Sequence, residues 1–310
     1  MTDYAITARG LTKSYGDHVV LDGIDLSVPR GTVFSLLGPN GAGKTTTVQI
    51  LSTLIGANGG ALRVAGHDPV TDPQAVRAAI GVTGQFSAVD DLLTGTENLR
   101  LMADLRHLDR AAGRRRAAEL VERFDLGAVA EKTAATYSGG LRRRLDLAMS
   151  LVGDPEVIFL DEPTTGLDPR SRRGLWQIIR DLVAGGVTIF LTTQYLEEAD
   201  ELADRIAVLD GGRLVAEGTA EELKRLVPGG HVELRFADGH TLDLAAKTLG
   251  DTGRDEESLT LRVPADGGVQ SLKSLLDRLE AAAVPVASLA VRTPDLDDVF
   301  LALTDQEARR

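Results

Sequence analysis

The sequence predicts an α/β fold, with a mainly parallel sheet covered by helices and a small α+β domain after it. The apolar run Val33–Leu37 ends at a glycine-rich loop and is followed by a segment with helical periodicity. Two further apolar runs, 157–160 and 187–192, alternate with helical segments, which is typical of a parallel sheet. Beyond about residue 230 the pattern changes to short alternating runs.

The length of 310 residues predicts about two domains. We predict a first domain over residues 1–227, with a helical subdomain over about 87–150. Its N-terminal antiparallel part has strand-like runs at 4–9 and 19–28, separated by a predicted loop at 12–18.

The second predicted domain covers residues 231–304, after a change of character at Pro228-Gly229-Gly230. Its first three runs alternate like half-exposed antiparallel strands: 231–236, 241–245 and 258–263. An amphipathic helix, a further strand and a short final helix are predicted at 269–283, 286–293 and 295–303.

Composition excludes several classes of function. A net charge of -12 argues against nucleic acid as a partner, because phosphate backbones demand a basic surface. The chain has no cysteine, and its five histidines are dispersed, so neither thiol catalysis nor a zinc site is expected. The sequence contains neither a secretory signal nor an apolar run of the ~18 residues that a membrane span needs. We expect a cytoplasmic protein whose partner supplies any membrane span.

The glycine-rich loop at residues 38–45 fits the phosphate-loop pattern G-x-x-x-x-G-K-S/T at every fixed position. Glycines allow successive N–H groups to point at phosphates, and the following helix adds its positive N-terminal end. Lys44 is expected to reach the terminal phosphates, and the Thr45 hydroxyl to ligate Mg²⁺. A chance glycine turn is the alternative, but the buried strand before the loop and the helix after it favour phosphate binding.

Two acids, Asp161 and Glu162, follow the apolar run at 157–160. In an open parallel sheet the chemistry lies beyond the carboxyl ends of the strands, so these acids should face the same crevice as the phosphate loop. We expect Asp161 to hold Mg²⁺ through water and Glu162 to polarise the attacking water. An acidic pair is often only a solvated loop, but with a phosphate loop upstream it predicts a phosphate-loop NTPase.

The segment Tyr137-Ser138-Gly139-Gly140-Leu141 resembles the signature sequence of ATP-binding-cassette (ABC) ATPases, Leu-Ser-Gly-Gly-Gln. Ser-Gly-Gly at a helix start offers a hydroxyl and bare N–H groups, which make a second anion site, although alone it predicts only a helix cap. Its position ahead of the acids supports the resemblance. The arginines after it, residues 142–144, are predicted to lie on the helix surface or near phosphate.

The resemblance covers residues 4 to about 225 and implies roles for further residues. Tyr15 matches the aromatic residue that stacks on adenine. Gln85 matches the glutamine that contacts the metal or the attacking water and couples to the membrane partner. Asp168 matches the loop that communicates across the dimer. The residues implied to bind ATP are Tyr15, Gly38, Pro39, Asn40, Gly41, Ala42, Gly43, Lys44, Thr45 and Thr46.

One position departs from the family pattern. Most members have a histidine after the last strand of the site, where this chain has Gln194. A glutamine amide can donate a hydrogen bond to the γ-phosphate, but it cannot titrate near neutral pH. Two interpretations stay open, a competent substitute and a weakened ATPase. The implied catalytic residues are Glu162, Gln194 and Lys44, and those near Mg²⁺ are Thr45, Gln85 and Asp161.

Four stretches look like the daunorubicin/doxorubicin-resistance type of exporter ATPase: 84–95, 137–148, 192–200 and 293–300. This resemblance implies a subunit at the cytoplasmic face of the membrane that pairs with a separate membrane permease and powers efflux of a hydrophobic drug or antibiotic. It also implies a head-to-tail homodimer in which Ser138, Gly139 and Gly140 of one copy complete the ATP site of the other. The alternative is a nucleotide-binding regulatory or scaffold ATPase with weak hydrolysis.

Overall fold

A computed structural model of the chain describes residues 3–85, 87–226, 230–250, 253–265, 268–292 and 295–307. Residues 303–307 are described by their backbone alone. The chain divides into two compact units, Met1–Ala220 and Glu221–Arg310. Residues 227–229, where we predict the change of domain, lie outside the described residues, as do Phe86, Thr293 and Pro294. The bounds 1–227 and 231–304 stay predictions.

Unit 1 contains two sheets in its described part. Its strands are β1 Tyr4–Tyr15, β2 His18–Pro29, β3 Val33–Leu37, β4 Gly59–Val64, β5 Ile80–Thr83, β6 Val157–Asp161, β7 Thr188–Thr193, β8 Arg205–Asp210 and β9 Arg213–Gly218. Strands β1, β2 and β4 form a three-stranded antiparallel sheet in the order β2-β1-β4, and the other six form a sheet in the order β5-β6-β7-β3-β8-β9.

Helices connect these strands. They are α1 Lys44–Leu51, α2 Pro73–Ala79, α3 Gly95–Leu105, α4 Arg110–Arg123, α5 Gly139–Ser150, α6 Pro169–Ala184 and α7 Leu196–Leu202, with a 3₁₀ turn at Ala134–Thr136. The helices α3, α4 and α5 lie between β5 and β6 and supply the predicted helical segment. Within the described ranges, none of the helices combines the length and the apolar character that a membrane crossing requires.

The six-stranded sheet is buried at its centre. Every residue of β3, β6 and β7 is buried. One face of this sheet packs in a core shared with the three-stranded sheet and α1, and the other face in a core shared with the helices α3 to α7. Phe190 of β7 packs between Phe34 and Phe159, with ring centroids 5.7 and 5.6 Å away. Since β7 pairs in parallel with both β3 and β6, the carboxyl ends of all three strands meet at one edge.

The predicted loop at residues 12–18 is wrong. Strand β1 continues to Tyr15, and β2 begins at His18, so that only Gly16 and Asp17 form the turn. Gly16 has a positive φ of 58°, which a two-residue hairpin turn needs and a glycine adopts without strain. The residues at this exposed hairpin are mostly polar, so the hydrophobic pattern did not show that the strand continues there.

Unit 2 has a four-stranded antiparallel sheet in the order β11-β12-β10-β13. Its core contains buried side chains that include Val232, Leu234 and Leu279. Its described elements are α8 Ala220–Lys224, which begins at the unit boundary, β10 His231–Arg235, α9 Gly239–Leu249, β11 Arg254–Asp255, β12 Thr260–Pro264, α10 Val269–Ala281, β13 Ser288–Arg292 and α11 Leu296–Glu307.

The predicted strand at residues 241–245 is also wrong, because this segment belongs to α9. The Asp238 side chain caps the helix by accepting a hydrogen bond from Thr241 N at 2.8 Å. The buried residues Leu242, Ala245, Ala246 and Leu249 follow the helical spacing. Alternation over only five residues is compatible with either structure, and the cap decided for the helix.

Candidate nucleotide-binding and hydrolysis site

The phosphate loop, residues 38–45, joins β3 to α1 at the carboxyl edge of the sheet. Gly41 and Gly43 have positive φ angles of 83° and 110°, which glycine adopts without strain and which curve the backbone of the loop. Gly38 lies so close to β8 that an added Cβ would stand 2.2 Å from the carbonyl oxygen of Leu209. The loop is therefore held against the sheet by a position that only glycine fits.

Lys44 connects the loop to the acids. Its buried ammonium donates to the carbonyl oxygens of Gly38 and Pro39, at 2.9 and 3.0 Å. The same Nζ lies 3.4 Å from Oε1 of Glu162. The phosphate loop and the acidic pair, which are far apart in the sequence, therefore meet in one site.

Asp161 is the buried last residue of β6, and Glu162 begins the turn after it. The Thr192 hydroxyl of β7 donates a hydrogen bond to Asp161 Oδ1. The Glu162 N–H donates to the carbonyl oxygen of Thr192 at 3.1 Å. Glu162 has a φ of 48°, a left-handed conformation that costs free energy for a non-glycine residue and that the surrounding structure must hold.

Gln194 follows β7 directly and is half-buried at a bend. The neighbouring Thr193 carbonyl accepts a hydrogen bond from Gly38 N at 3.3 Å, so the end of β7 touches the phosphate loop. Thr193 also accepts through its hydroxyl from Tyr195 N at 2.9 Å, which fixes the backbone around Gln194. The glutamine stands at the same edge as Lys44 and Glu162.

Tyr15 ends β1 and is 52% exposed, with the Lys13 ammonium 5.0 Å from its ring centroid. The hairpin that carries it also approaches the phosphate loop, since a Cβ on Gly43 would lie 2.9 Å from the carbonyl oxygen of Val20. The same hairpin thus carries an exposed aromatic ring and approaches the loop, and such a ring can stack on a flat ligand.

The donors that the sequence assigns to Mg²⁺ are a hydroxyl, an amide and a carboxylate: Thr45, Gln85 and Asp161. These oxygen ligands fit a hard cation that keeps several waters and is shared with phosphates. Thr45 and Gln85 are exposed. Among the described residues, no group of three or more His, Cys, Asp or Glu side chains would hold a metal by itself. An ion here would therefore take its remaining ligands from water and phosphate.

The signature residues form the start of α5. Ser138 is exposed and caps the helix by accepting from Leu141 N at 3.4 Å. A Cβ on Gly140 would lie 2.4 Å from the Ser171 hydroxyl, and that hydroxyl donates to Asp168 at 2.5 Å. The Ser171 hydrogen bonds hold the pKa of Asp168 below its ordinary value. Ser138, Gly140 and Asp168 are thus neighbours at the starts of α5 and α6.

Sequence reasoning missed the role of Arg143, and the prediction of a surface position is wrong for this residue. It is 9% exposed, whereas its neighbours Arg142 and Arg144 keep more of their side chains in solvent. Its guanidinium forms an ion pair with the buried Asp146, at 3.1 Å. The only signal in the sequence was the acid three residues after the arginine, on the same helix face.

Glu198 was also missed. It lies fully buried on α7 and accepts a hydrogen bond from the indole nitrogen of Trp176 at 3.2 Å. Burial raises the pKa of the Glu198 carboxyl, and hydrogen bonds from Thr193 and Trp176 oppose that rise. Its acidic surroundings in the sequence, Glu197 to Asp200, gave no indication that this one residue is in the core.

Comparison with known proteins identifies the family of this chain. A daunorubicin resistance ATP-binding protein of Streptomyces coeruleorubidus is 50% identical over 100% of this chain and 98% of its own length. The chain belongs to the ABC transporter family. A daunorubicin/doxorubicin resistance ATP-binding protein of Streptomyces peucetius is 48% identical over 98% of this chain and 93% of its own length. The family model described as ABC transporter matches residues 21–165.

Solved structures of ABC ATPases have a similar fold. A structure described as the ATP-binding subunit of an ABC transporter matches with a TM-score of 0.64 and 28% identity, over 72% of this chain and 92% of its own. A dimeric ATP-binding cassette bound to ADP and phosphate matches with a TM-score of 0.63 and 25% identity, over 69% and 98%. The predicted phosphate-loop NTPase fold and the predicted ABC ATPase of the daunorubicin-resistance type are confirmed. This ABC subunit is an ATPase.

Proposed function

We propose that this ABC ATPase powers the efflux of a hydrophobic drug or antibiotic through a separate membrane permease, at the cytoplasmic face of the membrane. The names of the full-length relatives refer to daunorubicin and doxorubicin resistance, which supports a drug as the exported molecule. The observation that carries the proposed mechanism is the meeting of Lys44 and Glu162, 3.4 Å apart, at the edge where β3, β6 and β7 end.

The proposed hydrolysis uses groups that already face one another. Backbone N–H groups of the phosphate loop bind the phosphates, and Lys44 exchanges its carbonyl partners for the terminal phosphates. Glu162 orients the attacking water and accepts its proton. Gln194 donates its amide to the γ-phosphate, and Tyr15 stacks on adenine.

Thr45, Gln85 and Asp161 would hold Mg²⁺ together with ATP, and the ion would neutralise charge on the phosphate oxygens. The oxygen donors at these positions support this assignment. Thr192 fixes the Asp161 carboxylate by donating its hydroxyl, so that this ligand is oriented before ATP arrives.

The active unit is proposed to be a head-to-tail homodimer. Ser138, Gly139 and Gly140 offer a hydroxyl and N–H groups at the N-terminus of α5, which attracts anions. In the dimer they would bind the ATP held by the partner's phosphate loop, with Asp168 beside them at the interface. ATP then bridges the two copies, and its hydrolysis releases them. The similar dimeric cassette supports this arrangement.

A Glu162→Gln variant tests the mechanism. The amide keeps the size of the side chain but cannot accept the proton of water, so ATP should remain bound and bridge two copies. With excess ATP and Mg²⁺, analytical ultracentrifugation should show a dimer that releases no phosphate. The control Glu197→Gln changes an exposed glutamate that pairs with Arg172 and should turn over ATP normally. A monomeric Glu162→Gln chain would refute the sandwiched ATP.

Efflux is tested in cells that express the chain with its permease. Those cells should accumulate less of an anthracycline than cells with the permease alone, and Lys44→Ala should abolish the difference because the phosphates lose their cation. A regulatory or scaffold ATPase with weak hydrolysis is the alternative that Gln194 suggested. It would bind ATP without the rise in turnover that a permease should cause in a motor.

A further inference from the structure

Arg143 contacts both sides of Glu162. Its Nε donates to the carbonyl oxygen of Pro163 at 2.8 Å, and its Nη2 donates to the carbonyl oxygen of Asp161 at 3.3 Å. These carbonyls belong to the residues directly before and after Glu162. Because Glu162 has a strained φ of 48°, the turn depends on contacts that hold it in place.

The same arginine reaches the residues around Gln85. Its Nη1 donates to the carbonyl oxygen of Gly84 at 2.9 Å and to Asp146 Oδ2 at 3.1 Å. Asp146 in turn accepts through Oδ1 from the N–H of Ala88 at 3.1 Å. The buried pair therefore holds the backbone on both sides of Gln85 as well.

We propose that Arg143 is a positioning residue for ATP hydrolysis, which fixes the backbone around Glu162 and Gln85 relative to α5. This inference rests on the proposed roles of Glu162 and Gln85. An ordinary buried ion pair would need only Asp146, but this guanidinium divides its donors among three backbone carbonyls and one carboxylate. It also connects the site of its own chain to the helix that begins with the signature residues.

Only arginine has the geometry for these contacts. Its planar fork carries five N–H donors in fixed directions, whereas the lysine ammonium is a single point from which four separated acceptors cannot be reached. Arg143→Lys keeps the charge beside Asp146 and releases the carbonyls of Gly84 and Pro163. The carboxylate of Glu162 then loses its fixed position, and displacements of about 1 Å at a reacting group reduce rates by about 100-fold.

The test compares purified full-length Arg143→Lys with the wild type. Turnover per folded molecule should fall about 10- to 100-fold, while the Kd for a fluorescent ATP analogue stays within about twofold, since the arginine donates no hydrogen bond to the phosphate loop. The folded fraction is measured from the fluorescence of Trp176, the one tryptophan of the chain. The matched control is Arg144→Lys, whose partly exposed side chain pairs with Asp125 at 3.5 Å and should keep wild-type turnover.

A structural role alone predicts a different result. In that case Arg143→Lys would lower the folded fraction, and turnover per folded molecule would match the wild type, which would overturn the proposal. If Arg143→Lys does not fold, Asp146→Asn decides, because it removes the charge that orients the guanidinium and leaves the three carbonyl acceptors. Reduced turnover of folded Asp146→Asn at unchanged ATP affinity supports positioning, and unchanged turnover overturns it.

The Glu162→Gln variant separates this inference from the proposed function. If Glu162→Gln abolishes turnover and Arg143→Lys does not reduce it, the proposed function stands and the positioning role of Arg143 is refuted. If Glu162→Gln retains turnover, the assigned role of Glu162 fails, and the positioning role fails with it.

Discussion

At the residue scale, the site brings together two side chains of opposite charge, Lys44 and Glu162, and contacts with the backbone hold them in place. Lys44 lies between two loop carbonyls and the Glu162 carboxylate. The Glu162 backbone is fixed from β7 by Thr192 and from α5 by Arg143. This arrangement holds the backbone around Glu162 before ATP binds, so in the proposed mechanism its carboxylate needs little reorganisation when charge develops during hydrolysis.

Gln194 should matter as a hydrogen-bond donor. Gln194→Ala removes the amide, and turnover should fall about 100-fold, as when a single donor to a developing charge is lost. ATP affinity should persist, because Lys44 and the loop remain. Gln194→Glu keeps the size of the side chain but removes the N–H donor, so its turnover should fall at least as far. Turnover is measured by phosphate release, and the control is Gln177→Ala, at an exposed position of α6. Wild-type turnover of both variants would remove Gln194 from the mechanism.

Glu198 should make stability depend on pH. Burial raises its pKa above 4.5, so the folded state binds more protons than the unfolded state, and the free energy of unfolding falls as the pH rises above that value. Glu198→Gln cannot titrate and should lose less stability as the pH is raised above about 5. Urea unfolding followed by Trp176 fluorescence measures this. Exposed Glu197→Gln is the control, and an identical pH dependence of Glu198→Gln and wild type would contradict the prediction.

At the scale of elements, the starts of α5 and α6 pack so closely that a residue larger than glycine does not fit at position 140 without a shift. Gly140 faces Ser171, and Ser171 holds Asp168, the residue that caps α6. The adjacent Gly139 has only an ordinary contact, 3.7 Å from a Cβ to Leu167 Cδ2. Two neighbouring glycines of the signature therefore differ in what they do for the fold.

Gly140→Ala should lower the free energy of unfolding by about 1–3 kcal/mol, the usual cost of overpacking. Gly139→Ala is the matched control and should leave stability unchanged or slightly higher, since alanine favours helix. Urea unfolding gives both values. Ser171→Gly removes the atoms that Gly140→Ala meets, so the double variant should be more stable than the sum of the single effects. Additive effects would show that the contact between α5 and α6 does not limit this position.

At the scale of the whole molecule, the chain has two units with separate cores. The parallel sheet of unit 1 supplies the edge at which the site forms, and Trp176 lies in its core. Unit 2 has its own antiparallel sheet, covered by helices whose buried side chains include Leu242 and Leu279.

We expect the two units to unfold separately. Leu234→Ala, at a fully buried position of unit 2, should destabilise that unit by about 2–5 kcal/mol and leave the Trp176 transition and ATP affinity unchanged. Phe159→Ala in β6 is the counterpart in unit 1 and should shift the Trp176 transition. Calorimetry together with Trp176 fluorescence measures both. Equal shifts of the Trp176 transition in the two variants would contradict separate unfolding.

The sequence determined the parts of the site whose geometry is local. A phosphate loop needs glycines and a lysine at fixed spacing between a strand and a helix, so residues 38–45 were readable without a structure. The acids after an apolar strand were readable for the same reason. A short alternating run such as residues 241–245 was not, because five residues fit a strand as well as an amphipathic helix.

The tertiary structure alone decided how these parts meet. Arg143 bonds carbonyls that are 18, 20 and 59 residues away in the chain, and the acid three residues after it did not reveal these contacts. Glu198 is buried among residues from other elements in the same way. Local rules fix backbone turns and hydrogen-bonding groups. Burial and long-range contacts depend on packing, which placed Lys44 against Glu162 and made Arg143 part of the site.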